Sequence, residues 1–240
     1  MGKKNLKTIL LLILILSLSG CIYYRFLKVK YQLDDFEKNF SVDDKGGLSV
    51  EFKNPVLQSG DIVWLMSANP DSKQDSENEK IWTYILKKRY HRSKNENGNF
   101  DIPVKFIIKN EKVNKVTLPE RFLKYFSMSL FKNLLNSFGR ADISKFHKEA
   151  RTNVKESNHY KLPTTKEISE VLGSPYYRKK VNSDLVYVYK YYINAEGKSD
   201  RPGVNFIYHF REKDRVLRSV KSNIKGVDIA IDFSDTLEDK

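Results

Sequence analysis

The chain contains one cysteine, and its position marks it as a candidate for covalent chemistry. Cys21 follows Ser19 and Gly20 at the end of a long apolar run. Its thiol is the only strong nucleophile in this stretch that can form a thioether. The small residues before it allow an extended segment to enter a narrow protease cleft. The pattern predicts modification of the Cys21 sulfur and cleavage of the peptide bond before it.

The twenty residues before Cys21 have the three-part layout of an export signal. A segment with three lysines precedes the apolar run at residues 9–18. A helix of about ten residues covers only ~15 Å, whereas a bilayer core needs roughly 20 residues. We therefore expect residues 1–20 to be a cleaved signal peptide; the alternative is a signal peptide with a chance cysteine. N-myristoylation is rejected because its motif needs Ser or Thr where this chain has Leu6.

The tetrapeptide Leu18-Ser19-Gly20-Cys21 resembles the lipobox of bacterial lipoproteins over the whole motif. The resemblance implies that a diacylglyceryl group is attached to Cys21, which becomes the first residue of the mature protein. Each buried CH₂ contributes about 0.8 kcal/mol, so two or three acyl chains give firm membrane attachment. In lipoproteins of the enteric type, Asp after the cysteine resembles an inner-membrane retention signal, and this chain has Ile22. We expect a cell-envelope location, with the outer membrane favoured in a Gram-negative source.

Composition limits the partners and the forces that stabilise the fold. The formal charge is +13, and removing the three lysines of residues 1–20 leaves +10. An exported protein meets anionic headgroups, cell-wall polymers and acidic protein surfaces, so we expect no nucleic-acid partner. The mature chain cannot form an intrachain disulfide with one cysteine, and hydrophobic burial must stabilise it. Fourteen Tyr and fourteen Phe, many alternating with polar residues, favour a β-rich core.

Two basic clusters lie beside predicted strands and form a possible interaction surface. The alternative is that they are solvated strand edges, whose charge discourages aggregation. Alternating aromatic residues in the same strands present either a ligand-binding face or ordinary sheet packing. The cluster residues are Lys87, Lys88 and Arg89 in the first and Arg178, Lys179 and Lys180 in the second.

Motifs for catalysis and metal binding are missing from the sequence. The four histidines do not form a His-Glu-x-x-His pair, and no second cysteine is available for a zinc site. The chain also lacks a Gly-x-Ser-x-Gly elbow, a phosphate-binding loop and a dinucleotide fingerprint. We assign no catalytic residue, metal ligand or cofactor. A cell-wall or lipid-active hydrolase with dispersed residues remains the enzymatic alternative, recognisable by a cleft that gathers a histidine with carboxylates.

Hydrophobic periodicity and turn residues predict alternating helices and strands. Helices are expected at 59–67, 119–139, 143–151 and 162–173, and the last has an N-cap, an acidic first turn and a Gly-Ser-Pro stop. Strands are expected at 48–52, 81–90, 102–108, 113–118, 185–193, 204–210, 216–222 and 227–233.

The order helix, strand, strand, strand occurs twice. Residues 59–67 parallel 165–173, and the hairpin at 106–113 parallels that at 208–216 with one residue inserted. The period of about 100 residues indicates a duplicated domain and not a solenoid. The alternative is two generic α+β segments that share a pattern by convergence.

The second copy resembles the BamE/SmpA family of outer-membrane lipoproteins. The resemblance rests on Thr165-Lys166-Glu167-Ile168 and Val171-Leu172-Gly173-Ser174-Pro175, followed by the aromatic strand and hairpin; the first copy lacks the glycine, having Ser67. It implies helices on a small antiparallel sheet and protein–protein contact in the envelope. Beta-lactamase inhibitory protein is similar in being such a tandem, so an inhibitor is a further alternative.

Together these patterns predict an α+β protein of two similar units, each with short helices on its own small antiparallel sheet. The expected function is that of a non-catalytic, membrane-anchored binding or assembly module with a protein partner in the envelope. The expected segments are a signal peptide at 1–20, a tether at 21–30, units at 31–118 and 152–240, and connecting helices at 119–151.

Overall fold

The computed structural model describes residues 22–90, 99–144, 148–155, 160–193, 203–224 and 226–233. Cys21, Gly20, Ser19 and Leu18 lie outside these ranges, so the structure does not address the lipobox. No helix within the described ranges is long and apolar enough to cross a bilayer.

The described residues form an α+β fold, which confirms the predicted fold class. The helices are α1 at residues 22–34, α2 Phe36–Asn39, α3 Ser59–Met66, α4 Met128–Gly139 and α5 Thr165–Leu172, with a 3-10 helix at Glu120–Lys124. The strands are β1 Phe40–Asp43, β2 Leu48–Phe52, β3 Ser72–Asp75, β4 Lys80–Arg89, β5 Ile102–Lys109, β6 Lys112–Leu118, β7 Asp142–Ser144, β8 Glu149–Asn153, β9 Tyr177–Val181, β10 Asp184–Ile193, β11 Val204–Arg211, β12 Leu217–Ile224 and β13 Val227–Asp232.

All thirteen strands belong to one sheet, so the expected pair of separate small sheets is not found. The order is β1-β2-β6-β5-β4-β10-β11-β12-β13-β8-β7, with β3 on the free flank of β4 and β9 on that of β10. Only the β13–β8 pair is parallel among these described strands. The two expected units therefore share a continuous sheet that joins them at β4 and β10.

The register at this joint relates the two halves by an approximate two-fold axis. Lys87 of β4 pairs with Tyr192 of β10. Lys87 follows the buried Tyr84 by three residues, and Tyr192 follows the buried Tyr189 by three. The central pair thus joins equivalent positions of the two halves, and the strand order β6-β5-β4 continues in mirrored sequence as β10-β11-β12.

Each half also repeats the same contacts between its helix and its hairpin. The residue after each N-cap donates its backbone N–H to a carbonyl in the hairpin turn. The second strand of the hairpin donates a backbone N–H to the carbonyl of the residue before the N-cap. A buried tyrosine donates its hydroxyl to a carbonyl just beyond the helix. The contacts are Ser59 to Glu111, Val113 to Leu57 and Tyr84 to Ala68 in the first half, and Thr165 to Arg215, Leu217 to Pro163 and Tyr189 to Gly173 in the second.

The contacts of the second strand correct the predicted alignment of the hairpins. Leu217, and not Val216, makes the contact that Val113 makes in the first half. The second hairpin is therefore two residues longer and not one. The first hairpin turns tightly through Asn110 and Glu111, which both have positive φ, whereas Arg215 alone has positive φ in the longer turn.

Short-range side-chain contacts fix where the two equivalent helices begin. At α5, Thr164 accepts from the backbone of Glu167, and Glu167 accepts from the backbone of Thr164 at 2.7 Å, which is a capping box. At α3, Asp61 accepts from the backbone N–H of Gln58 at 2.8 Å. Since the sequence predicts helices at 59–67 and 162–173, α3 begins at the predicted residue and α5 begins three residues later than predicted.

One hydrophobic core lies on a single face of the sheet. The fully buried Tyr84, Tyr189 and Tyr191 belong to it together with Ile62 of α3 and Ile168 of α5. Side chains from α1, α2, α4 and the 3-10 helix also contact this core. The contacts of the described helices with this core place them on one face of the sheet.

The segment predicted to connect the units differs from the expectation of two helices at 119–151. Instead of one helix over 119–139, the 3-10 helix ends and α4 begins anew with Ser127 as its N-cap, which accepts from Leu130 at 3.2 Å. The helix predicted at 143–151 is wrong because β7 and β8 occupy this stretch. Pairing of β8 with β13, distant in sequence, overrides the local helical pattern.

Candidate interaction surface

The side of the central strands opposite the hydrophobic core carries the candidate interaction surface, and we call it the open face. Cross-strand pairing places its residues on the side opposite the core, and the members named below are half-buried or exposed. Val186 and Val188, on the same side of β10, are buried among them. Most of its members have aliphatic or cationic side chains. Its members are Ile81, Ile85, Lys87, Arg89, Lys105, Ile107, Lys190, Tyr192 and Ile207.

Positive charge is concentrated where the two halves meet. Arg89 of β4 lies directly opposite Lys190 of β10, two residue pairs along from Lys87 and Tyr192 and on the same side of the sheet. Like charges at opposed sheet positions are unfavourable for the fold. Lys190 is positioned with its ammonium 4.3 Å from the ring centre of Tyr176. The centre of the open face therefore combines an electrostatic cost to folding with attraction for an acidic ligand.

The structure separates the members of the first predicted basic cluster. Lys87 and Arg89 lie on the open face, whereas Lys88 points to the opposite side and is 1% exposed. This outcome follows from the two-residue period of a strand. Lys88 continues the inward series of Trp82, Tyr84 and Leu86, so the alternation already carried the signal that cluster-level reasoning missed.

The second predicted cluster lies on β9, an exposed strand beside the first half of β10. Arg178 pairs with Tyr187 in the β9–β10 ladder, and Lys180 forms a 2.6 Å ion pair with Glu212. Lys179, between them, points to the same side of the sheet as the open face because it pairs with Val186. The fold thus brings both basic clusters to the same flank of β10.

Lys88 lies in a closed cage that connects the two halves. Its ammonium is 4.9 Å from the ring centres of Tyr90 and Phe100 and 5.4 Å from that of Tyr189. It donates a hydrogen bond to the carbonyl of Leu172 at the end of α5. A cation at a helix C-terminus is favourable, and this contact joins β4 of the first half to α5 of the second.

Burial lowers the pKa of Lys88 to about 8, with Arg121 acting in the same direction and Asp101 opposing it. A neutral amine is a potential nucleophile. The cage, however, encloses the amine and leaves a substrate no access to it. The geometry therefore indicates a structural role for Lys88, joining the halves, and not covalent chemistry.

One row across three strands contains the residue types of a hydrolase. His209 of β11 is paired in register with Ser219 of β12, and its Nδ1 lies 3.6 Å from a carboxylate oxygen of Asp184 on β10. That distance exceeds a hydrogen bond. Arg218 approaches the other oxygen of Asp184 at 3.3 Å, and no hydrogen bond joins Ser219 to His209 in the described structure.

Burial is the main influence on the pKa of His209. Burial lowers the pKa of His209, and the nearby Asp184 opposes this by favouring the imidazolium. A neutral imidazole can accept a proton, but the missing contact to Ser219 leaves the serine unactivated in this arrangement. His91, His147 and His159 lie outside the described residues.

Within the described ranges, His, Asp and Glu side chains form no group of three that is suited to a metal ion. No known protein family, curated protein or solved structure matches the chain. The resemblances noted in the sequence therefore remain predictions, and the functional argument rests on the chain's own residues.

Proposed function

We propose that the chain is a lipoprotein of the bacterial envelope, anchored to a membrane through lipid on Cys21, that binds a protein partner without catalysis. The observation that carries the binding role is the open face. Helices cover the other side of the sheet, while the open face presents aliphatic side chains around a cationic centre. A partner with an acidic, partly apolar surface is complementary to it.

We further propose that the two halves are tandem copies of a unit of the BamE/SmpA type that share one sheet. Matching capping boxes, tyrosine contacts and hairpin contacts support common ancestry over convergence. The joint at Lys87 and Tyr192 supports it as well, since a duplicated unit that pairs with itself places equivalent residues opposite each other.

The lipid attachment is tested by metabolic labelling. Cells expressing the wild-type chain should incorporate labelled palmitate into it, and mass spectrometry of the mature protein should find the modified residue at Cys21. The Cys21→Ala variant should carry no label and should not be cleaved before residue 21. An unlabelled wild-type protein would exclude the anchor. Fractionation of the envelope then determines which membrane holds it.

The binding surface is tested by charge reversal on the two sides of the sheet. Lys87→Glu changes the open face, and Lys166→Glu is a matched control on the exposed side of α5. After cross-linking in living cells and mass spectrometry, the same envelope protein should be captured by the wild type and by the control. Capture by Lys87→Glu should fall about tenfold, which corresponds to about 1.4 kcal/mol. Equal capture by both variants would reject the open face as the binding surface.

The alternative of a cell-wall or lipid-active hydrolase rests on the row that contains Ser219, His209 and Asp184. It is tested by incubating the purified protein with peptidoglycan fragments and ester lipids. Turnover that disappears in both Ser219→Ala and His209→Ala would replace the proposed binding role with an enzymatic one.

A further inference from the structure

Helix α1 is fixed to the body of the protein near its N-terminal end. The guanidinium of Arg25 makes two hydrogen bonds, of 2.6 and 2.5 Å, to the carboxylate of Asp61 in α3. Asp61 is 1% exposed, which strengthens this ion pair relative to a surface pair. One residue further along, the ring of Phe26 lies 6.2 Å from that of Trp64.

The C-terminal end of α1 is fixed by backbone packing. Gly139, the last residue of α4, lies so close to the end of α1 that a Cβ atom on it would overlap the backbone of Leu33 and Asp34. Gln32 donates a 2.8 Å hydrogen bond to the carbonyl of Asn54. With contacts at both ends, the helix is a part of the folded body, although the sequence predicts a tether at residues 21–30.

The outer side of α1 carries aromatic and basic residues. Tyr24, Lys28 and Tyr31 recur at helical spacing, and the two tyrosines are 57% and 67% exposed. Trp64 of α3, beside the first turns of the helix, is 47% exposed. The ammonium of Lys28 lies 4.8 Å from the ring centre of Tyr24. Tyr, Trp and Lys are the residues that favour the boundary between lipid and water.

We infer that α1 and Trp64 form a membrane-facing surface that seats the folded body on lipid headgroups in one orientation. The inference rests on the proposed lipidation, because Ile22, the first described residue of α1, directly follows Cys21. Acyl chains on Cys21 bring the start of α1 to the headgroups. Because α1 is fixed at both ends, the body must follow, with its lysines against anionic lipid.

The test uses Trp64 as a depth probe and does not require cellular lipidation. Residues 21–240, carrying Trp82→Phe, retain Trp64 as the single tryptophan. The indole N–H of Trp82 has no hydrogen-bond partner among the described residues, so phenylalanine there loses no such contact. The Cys21 thiol is coupled to vesicles that contain a maleimide lipid, anionic lipid and phosphatidylcholine brominated near the headgroup. We expect Trp64 emission to be quenched relative to unbrominated vesicles.

The control variant is Tyr24→Ser/Tyr31→Ser in the same background, with folding checked by circular dichroism. Because both tyrosines are exposed, the fold should persist while quenching of Trp64 falls. Quenching equal in both proteins would overturn the role of the α1 stripe, and no quenching of Trp64 on coupled vesicles would overturn the whole surface. Chemical coupling replaces enzymatic lipidation, so an unquenched Trp64 in this experiment tests the membrane-facing surface alone. The lipid anchor is tested separately by palmitate labelling in cells.

Discussion

The two halves of the sheet have the same frame, but their equivalent helices are held by different contacts. In the first half, α3 is held at its N-terminus by Arg25, which reaches Asp61 from α1. In the second half, α5 is held at its C-terminus by Lys88, which reaches Leu172 from β4. Beyond the contacts that both helices share, one charged side chain therefore distinguishes how each helix is held.

Lys88 and Ile193 occupy corresponding positions in the two halves, and their different side chains explain why the second contact is found in one half only. Each follows a buried tyrosine, Tyr84 or Tyr189, by four residues. Lys88 extends to the end of α5, where Gly173 leaves room for it, because a Cβ there would lie 2.6 Å from the ammonium. The first half has Ser67 at the position of Gly173, and Ile193 occupies the position that corresponds to Lys88.

The largest expected difference between the halves follows from removing the carboxylate in each capping box. Asp61→Asn removes the part-buried ion pair with Arg25, which should reduce the free energy of unfolding by about 3–5 kcal/mol. The matched change Glu167→Gln weakens only the cap and a 3.6 Å pair with Lys161, and should cost about 1 kcal/mol. Urea unfolding of both variants measures the difference. Equal losses would mean that α1 contributes nothing through Arg25.

The second prediction concerns pH and the cage around Lys88. Because burial lowers its pKa to about 8, the unfolded chain binds more protons than the folded one between about pH 8 and 10.5. The contribution of Lys88 to the free energy of unfolding should therefore increase as the pH rises through that window, by at most about 3 kcal/mol. The Leu172 carbonyl and the three rings favour the ammonium and reduce this rise.

The measurement compares the wild type with Lys88→Met at the two ends of the window. Taking the difference between them cancels other titrating groups, and Ile193→Met is the matched control in the second half. The wild type should gain stability relative to Lys88→Met as pH rises from 8 to 10.5. Parallel pH profiles would show that Lys88 keeps its proton in the folded state.

The third prediction contrasts the residues that end the two helices. Gly173 has φ 72° and ψ −164°, a conformation almost confined to glycine, whereas Ser67 has a left-handed φ of 53°. Gly173→Ala adds steric overlap with Lys88 and Phe100 to this strain, and should cost about 2 kcal/mol. Ser67→Ala should change stability by less than about 0.5 kcal/mol. Chemical denaturation that ranks them in the opposite order would contradict the cage geometry.

Features encoded by neighbouring residues could be predicted from the sequence. The cap at Thr164, the acidic Glu167 and the stop at Gly173 predict α5 closely, because each acts within one helical turn. The inward position of Lys88 was also readable from strand alternation. Charge alone instead places Lys88 in an exposed basic cluster, either an interaction surface or a solvated strand edge.

Features set by distant pairing could not be predicted. No local signal at Lys87 or Tyr192 indicates that β4 and β10 pair and merge two expected sheets into one. The same limit explains the wrong helix at 143–151, where the partner strand β13 lies about 80 residues away in sequence. The open face, the candidate binding surface, depends on this long-range pairing and was therefore only partly foreseen.

The smallest expected losses of stability come from removing the tyrosine hydrogen bond that both halves contain. Tyr84 donates to the carbonyl of Ala68 at 3.2 Å, and Tyr189 donates to that of Gly173 at 3.1 Å. Burial raises the pKa of both phenols to about 12, so each remains a donor at neutral pH. Tyr84→Phe and Tyr189→Phe should each cost about 1 kcal/mol in urea unfolding. Closely matched costs would mean that the shared frame is energetically equivalent and that Arg25 and Lys88 carry the asymmetry; a clear excess at Tyr189 would mean that the Lys88 cage also strengthens its neighbour's hydrogen bond.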